Sequence, residues 1–173
     1  MIIFDKIFDY LLDVEGGYSN SKYDKGGKTT WGITEERARQ CGYKGDMRYL
    51  SKEIAKDIYR KKYYLSNNID KIKDDRVALS ICDWLVNSGT WGTKKAQRTV
   101  NEILGKQVLV EDGIIGVNSI KYINQVNADD FLKVYHALQR KYYHDIAKGN
   151  QIKNLQGWLN RVTKKEKYIK NNF

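Results

Sequence analysis

The 173-residue chain contains no proline. No helix interior is therefore broken by a missing amide hydrogen, which favours long uninterrupted helices and argues against a loop-rich β-sandwich. Cysteine is almost as scarce: Cys41 and Cys82 are the whole complement. Both fall in apolar helical patterns and read as buried free thiols, with a single disulfide left open. The absence of a CxxC pair and of any Cys/His cluster argues against a structural zinc site. The two histidines, His136 and His144, lie eight apart on one helical stretch. That is not metal-pair spacing and no HExxH is present, so they read as surface or core histidines. No metal and no organic cofactor is expected. Long hydrophobic runs are missing as well: nothing approaches the ~18 apolar residues of a membrane span. The opening MIIFDKIFDYLLDVEGG is interrupted by Asp5, Asp9 and Asp13 and leads to no small-residue cleavage site, so it does not read as a signal peptide. The expectation is a soluble product made in the cytoplasm. No repeat of 20–50 residues appears, which excludes a solenoid.

What is present is apolar material and positive charge. Hydrophobic residues make up 41% and aromatics 12%, enough for a real core in one compact domain or two small lobes. Lys and Arg number 31 against 21 Asp and Glu, a formal net charge of +10. That balance favours polyanionic partners, whether nucleic acid, anionic membrane or acidic cell wall, without choosing among them. No helix-turn-helix, zinc-finger or RNA-binding pattern accompanies the charge, so no nucleic-acid partner is expected.

Periodicity predicts mostly helix. Ile3, Phe4, Ile7, Phe8, Leu11 and Leu12 recur at helical spacing over residues 2–15, ended by Gly16-Gly17. TTWGIT, after a turn-rich stretch, suggests a short strand. Thr34, Ser51, Asp74, Thr93 and Asn127 each stand where an N-cap belongs, and Gly89 and Gly105 where helices stop. DGIIG reads as a turn, and a last helix carries Leu155, Trp158, Leu159 and Val162 ahead of a basic tail. The expected class is mainly α with at most a small β-hairpin.

One carboxylate breaks the pattern. At ~100° per residue, Glu15 lies about 20° from Phe4 and Phe8 and about 40° from Leu11, on the apolar stripe at the end of its helix. Partial desolvation and the negative end of the helix dipole both favour its protonated form. A protonated carboxylic acid is what glycosidic cleavage needs as general acid. The plainer alternative is a side chain frayed to solvent or paired with lysine. Nine residues on stands Asp24, in a glycine-flanked polar loop, and six further Thr30, before Trp31-Gly32-Ile33. Inverting hydrolysis needs a second carboxylate roughly 6.5–9.5 Å away, with room for a water. Glycines such as Gly27 allow close approach of backbone to sugar, and Tyr18, Tyr23 and Trp31 offer flat faces. Each has an alternative: Asp24 as a turn residue, Trp31 as core.

Taken together, Glu15-Gly16-Gly17-Tyr18, Asp24-Lys25-Gly26-Gly27-Lys28-Thr29 and Gly32-Ile33-Thr34 resemble glycoside hydrolase family 108. Its members are N-acetylmuramidases found as phage endolysins and secretion-associated wall hydrolases. Tyr59-Arg60-Lys61-Lys62-Tyr63-Tyr64 and Asp83-Trp84-Leu85-Val86-Asn87-Ser88-Gly89 resemble its later blocks. Gln97, Asp112-Gly113, Gly116 and Gly157-Trp158-Leu159-Asn160-Arg161 resemble the predicted peptidoglycan-binding region that follows. The resemblance covers nearly the whole chain. Lys25 stands where the family often has proline, with the turn glycines kept.

The resemblance implies a lysozyme-like helical fold, with a muramidase lobe over 1–90 and a peptidoglycan-binding lobe over 91–173. It implies Glu15 as catalytic acid cleaving MurNAc-β-1,4-GlcNAc bonds. The Glu–Asp–Thr spacing also resembles phage-type lysozymes, whose trio falls on Glu15, Asp24 and Thr30, whereas the family's GGxT threonine falls on Thr29. In a strand these two threonines face opposite ways, so both stay candidates. Tyr18, Gly27, Trp31, Gly32, Asp83 and Asn87 are the expected substrate contacts; Asp83 and Asn87 line the cleft or support Glu15, with a solvated or capping role the alternative. Trp91 and Trp158 read as core or as glycan contacts. The expected partner is peptidoglycan, met after export or holin-type release by a monomer, with an oligomer left open. Inverting or retaining chemistry stays open. The rivals are a lytic transglycosylase, giving an anhydro product on the same bond, and a non-catalytic cationic wall-binding protein.

Overall fold

The computed structural model describes residues 3–15 and 29–173, the side chain of Glu15 excepted. It is 75% helical, with eight α-helices and one two-stranded sheet among the described residues. This is the mainly α, lysozyme-like class that the sequence leads one to expect. The chain divides into two compact units, Met1–Tyr64 and Leu65–Phe173.

In the N-terminal unit, α1 (Ile3–Glu15) buries Phe4, Ile7, Phe8, Tyr10 and Leu11. That is the i, i+3, i+4, i+7 stripe of its sequence. The hairpin β1 (Thr29–Thr30) and β2 (Ile33–Thr34) pairs Thr29 with Thr34 and Thr30 with Ile33. Its two-residue loop, Trp31-Gly32, has φ of 55° and 74°. Two successive positive φ values match the twist that a tight hairpin needs, so Gly32 is easily explained and Trp31 carries backbone strain. Thr34 then caps α2 (Glu35–Gln40), its hydroxyl accepting from the Arg37 amide. Cys41 does not join the core. It caps the C-terminus of α2 and is exposed, because that helix stops after six residues. Ser51 caps α3 (Lys52–Tyr59), which continues as a π-helical segment, Arg60–Leu65. Rings from α1 meet rings from this stretch, with Phe4–Tyr64 centroids at 5.0 Å and Phe8–Tyr59 at 5.8 Å.

In the C-terminal unit, α4 (Asp75–Ser88) is buried at every residue from Val77 to Leu85. A helix enclosed on all sides is the centre of its unit. Asp74 caps its start, accepting from the amides of Arg76 and Val77. Gly89, at φ 61° and ψ −144°, ends α4 and begins α5 (Thr90–Leu104). The expected N-cap at Thr93 is therefore corrected: that residue lies inside α5, buried, its hydroxyl donating to the Thr90 carbonyl at 3.0 Å. A glycine conformation open to few other residues restarts the helix earlier than any capping side chain could signal. The helices α4 and α5 approach so closely that a Cβ on Gly92 would lie 2.7 Å from the Leu85 backbone nitrogen.

A loop follows, held by Gln97. Its Oε1 accepts from the Gly113 amide at 2.8 Å, and its Nε2 donates toward the Asp112 carboxylate at 2.7 Å. Then come α6 (Val117–Ile123), α7 (Ala128–Ile146), capped by Asn127 as expected, and α8 (Leu155–Asn172). The expected basic tail is part of α8, which buries Val162, Lys165 and Ile169.

Candidate active site

Of the expected catalytic residues, Glu15 is the last residue of α1, with only its backbone described. Tyr18, Asp24 and Gly27 lie outside the described residues, as do the turn glycines around them. The hairpin beyond them is described in full. Thr30 is buried, and its hydroxyl donates to the Met47 carbonyl at 2.6 Å. Thr29, one position earlier and on the opposite face of the strand, is half-buried. The hairpin tip is fixed from two sides. The Trp31 indole donates to the Leu50 carbonyl at 2.8 Å, and the Tyr59 hydroxyl donates to the Trp31 carbonyl at 3.0 Å. Those contacts hold Trp31 in a conformation that costs of order 1–3 kcal/mol for a non-glycine residue. Trp31 and Gly32 both stay half-buried.

Asp83 and Asn87, one helical turn apart on α4, have quite different surroundings. Asp83 is wholly buried. One oxygen accepts from Arg161 at 2.9 Å and the other from the Lys165 ammonium at 3.0 Å. Burial pushes its carboxyl up, but the Lys165 and Arg161 charges win and hold it below the usual carboxylate range. Cleft contact and solvated capping give way to an internal ion network. Lys165, itself wholly buried, also donates to Gln139 at 2.6 Å. Asn87 is exposed, and its Oδ1 accepts from the Tyr143 hydroxyl at 2.6 Å.

Neither histidine partner could be read from the sequence. His136 on α7 sits with Nε2 3.0 Å from the Ser80 hydroxyl of α4 and Nδ1 3.3 Å from the Glu166 carboxylate of α8. Glu166 in turn forms a bidentate pair with Arg140. A serine, a histidine and a carboxylate in line have the form of a nucleophilic triad. Ser80 is wholly buried, however, and His136 nearly so. Burial lowers the His136 pKa to about 4. A substrate cannot reach the hydroxyl, and the array ties three helices together.

Among the described residues, no group of three or more His, Cys, Asp or Glu lies close enough to hold a metal ion. No helix among them is long and apolar enough to cross a membrane.

Comparison with known proteins bears directly on this arrangement. Residues 8–89 match the family model of glycosyl hydrolase 108, and residues 95–163 match that of a predicted peptidoglycan domain. No curated protein matches the chain. Among solved structures, it is similar to Brucella abortus SagA at 24% identity, with a TM-score of 0.78 over 96% of this chain and 93% of that one. That likeness establishes a shared fold. With a glycosyl hydrolase 108 match over residues 8–89 and a peptidoglycan domain match after it, the chain is a glycoside hydrolase acting on peptidoglycan.

Proposed function

We propose that the protein is an N-acetylmuramidase that cleaves MurNAc-β-1,4-GlcNAc bonds, with Glu15 protonating the leaving O4. One observation carries the reading. The helix α1 runs as far as Glu15 and has no basic residue in its last turn. The carbonyl end of a helix disfavours a negative charge, which suits a group that must hold and then donate a proton. Asp24, ionised, orients or activates the attacking water. Thr29 or Thr30 holds that water, the Thr30 hydroxyl also donating to the Met47 carbonyl. Trp31 and Gly32 form the sugar-facing tip, with Tyr18 and Gly27 before them. Residues 1–90 do the cutting and residues 91–173 hold the wall.

The test is digestion of purified sacculi, with mass spectrometry of the released muropeptides. Hydrolysis adds one water and leaves a reducing end, whereas a lytic transglycosylase leaves an anhydro product. Glu15→Gln should lower lysis by about 100-fold or more, the usual contribution of a general acid, with the circular dichroism spectrum unchanged. A folded Glu15→Gln protein that still clears sacculi at the parent rate would refute the assignment.

A further inference from the structure

The C-terminal unit presents an exposed tryptophan, Trp91, backed by further rings. Trp91, in the first turn of α5, falls between the two matches, which end at 89 and begin at 95. It is 48% exposed. A single exposed apolar side chain is ordinary, but this one is backed by a chain of ring contacts. Its ring lies 5.7 Å from that of Tyr142, which lies 5.8 Å from Tyr143, which stacks on Trp158 at 5.5 Å. From α5 the contacts lead inward, since Tyr143 is buried, and emerge at the partly buried Trp158 of α8. Tyr142 also meets the buried Trp84 edge-on at 5.8 Å, which anchors the outer rings to the core.

Two cations stand at the exposed ring. The Lys94 ammonium is 5.5 Å and the Lys95 ammonium 6.0 Å from the Trp91 centroid. Neither closes an ion pair with a carboxylate among the described residues, although Lys141 and Arg98 nearby are paired with Asp145 and Glu102. Burial lowers the Lys95 pKa, so part of its hydration is already lost. Beside it a hollow of about 270 Å³ is lined by Lys95, Arg98, Leu138, Lys141, Tyr142 and Asp145.

A flat ring held rigid from behind, with two unpaired ammonium groups at its face, suits a ligand with an apolar face and a negative charge. A pyranose offers its C–H face to an aromatic ring. A lactyl or stem-peptide carboxylate on that sugar meets the lysines at short range, where partial desolvation strengthens the attraction. We infer that Trp91 and Tyr142, with Lys94 and Lys95, form a binding platform for an anionic saccharide, namely the carboxylate-bearing residues of a glycan strand. The inference rests on the chain's action on peptidoglycan and adds a site of attachment outside the catalytic residues.

Co-sedimentation of the full chain with purified sacculi, and with chitin as a chemically related glycan lacking carboxylates, tests it. Brief incubation in the cold keeps cleavage out of the measurement. Trp91→Ala should weaken binding to both polymers by about thirtyfold, the scale of a tryptophan hot spot. Trp91→Phe, which keeps a ring, should recover most of the loss. Lys94→Ala with Lys95→Ala should weaken binding to sacculi and leave chitin unchanged. Undiminished sacculus binding by a folded Trp91→Ala protein overturns the platform, and equal losses on both polymers in the lysine variant overturn its preference for a charged sugar. Lysis by Glu15→Gln bears only on the catalytic assignment, so the two readings fail separately.

Discussion

Asp83, wholly buried on α4, is held between two cations of α8. Helical phase placed it one turn from Asn87 on a strongly apolar helix, and phase alone allows a cleft residue or a solvated cap. What decides the matter lies 78 and 82 positions later, in Arg161 and Lys165. Spacing on one helix identifies a face and says nothing of the partner across it. A signal was nevertheless present: Lys165 shares the phase of Val162 and Ile169, a lysine at a core position of α8. Such a lysine is tolerated only with a buried counter-charge. Asp83→Asn leaves two cations facing a neutral amide in the interior. The expected cost is about 3 kcal/mol, visible as a lower urea midpoint. Lysis per folded molecule should be retained. A fully folded, unchanged-midpoint variant that had lost lysis would return Asp83 to the substrate site.

At the scale of elements, capping chemistry made most boundaries legible. Thr34, Ser51, Asp74 and Asn127 stand where they were expected and accept from amides in the first turns they open. Those devices are local, so a local reading finds them. Thr93 misled because Gly89 had already begun α5, and α6 was missed because its seven residues open on Gly116 with no capping side chain. The candidate site shows the same limit. The order of Glu15, Asp24 and the hairpin threonines is readable, while the atoms that occupy the Thr30 hydroxyl come from seventeen residues away. The two threonines can now be separated by one methyl-for-hydroxyl exchange at each. Thr30→Val orphans the Met47 carbonyl in the interior and should lower stability by about 1–3 kcal/mol, read by thermal melting. Thr29→Val should slow sacculus lysis, measured per folded molecule. Full lysis in Thr29→Val would remove that residue from the mechanism.

Across the C-terminal unit as a whole, stability against acid depends on the array that joins α4, α7 and α8. His136 is neutral when buried, and a ring with its proton on Nδ1 serves both contacts, donating to Glu166 and accepting from Ser80. The charged groups facing it are Glu166 and Lys165 on α8 and Arg140 on its own helix. Burial holds its pKa at about 4, against 6.5 in an unfolded chain. Between those values the unfolded chain binds the proton and the folded one does not, so stability falls as pH drops through that window. The full depression corresponds to ~3 kcal/mol. Glu166, lowered to about 2 first by His136 and then by Arg140, acts in the same direction but further down, below pH 4.5. It is partly exposed, so its share is screened. The urea midpoint of the parent should therefore decline from pH 7 to pH 4. His136→Gln keeps a donor and an acceptor but cannot titrate. It should begin less stable at pH 7 and lose markedly less over the same interval. Parallel declines in the two proteins would show that the acid sensitivity arises elsewhere and that the buried ring plays no part in it.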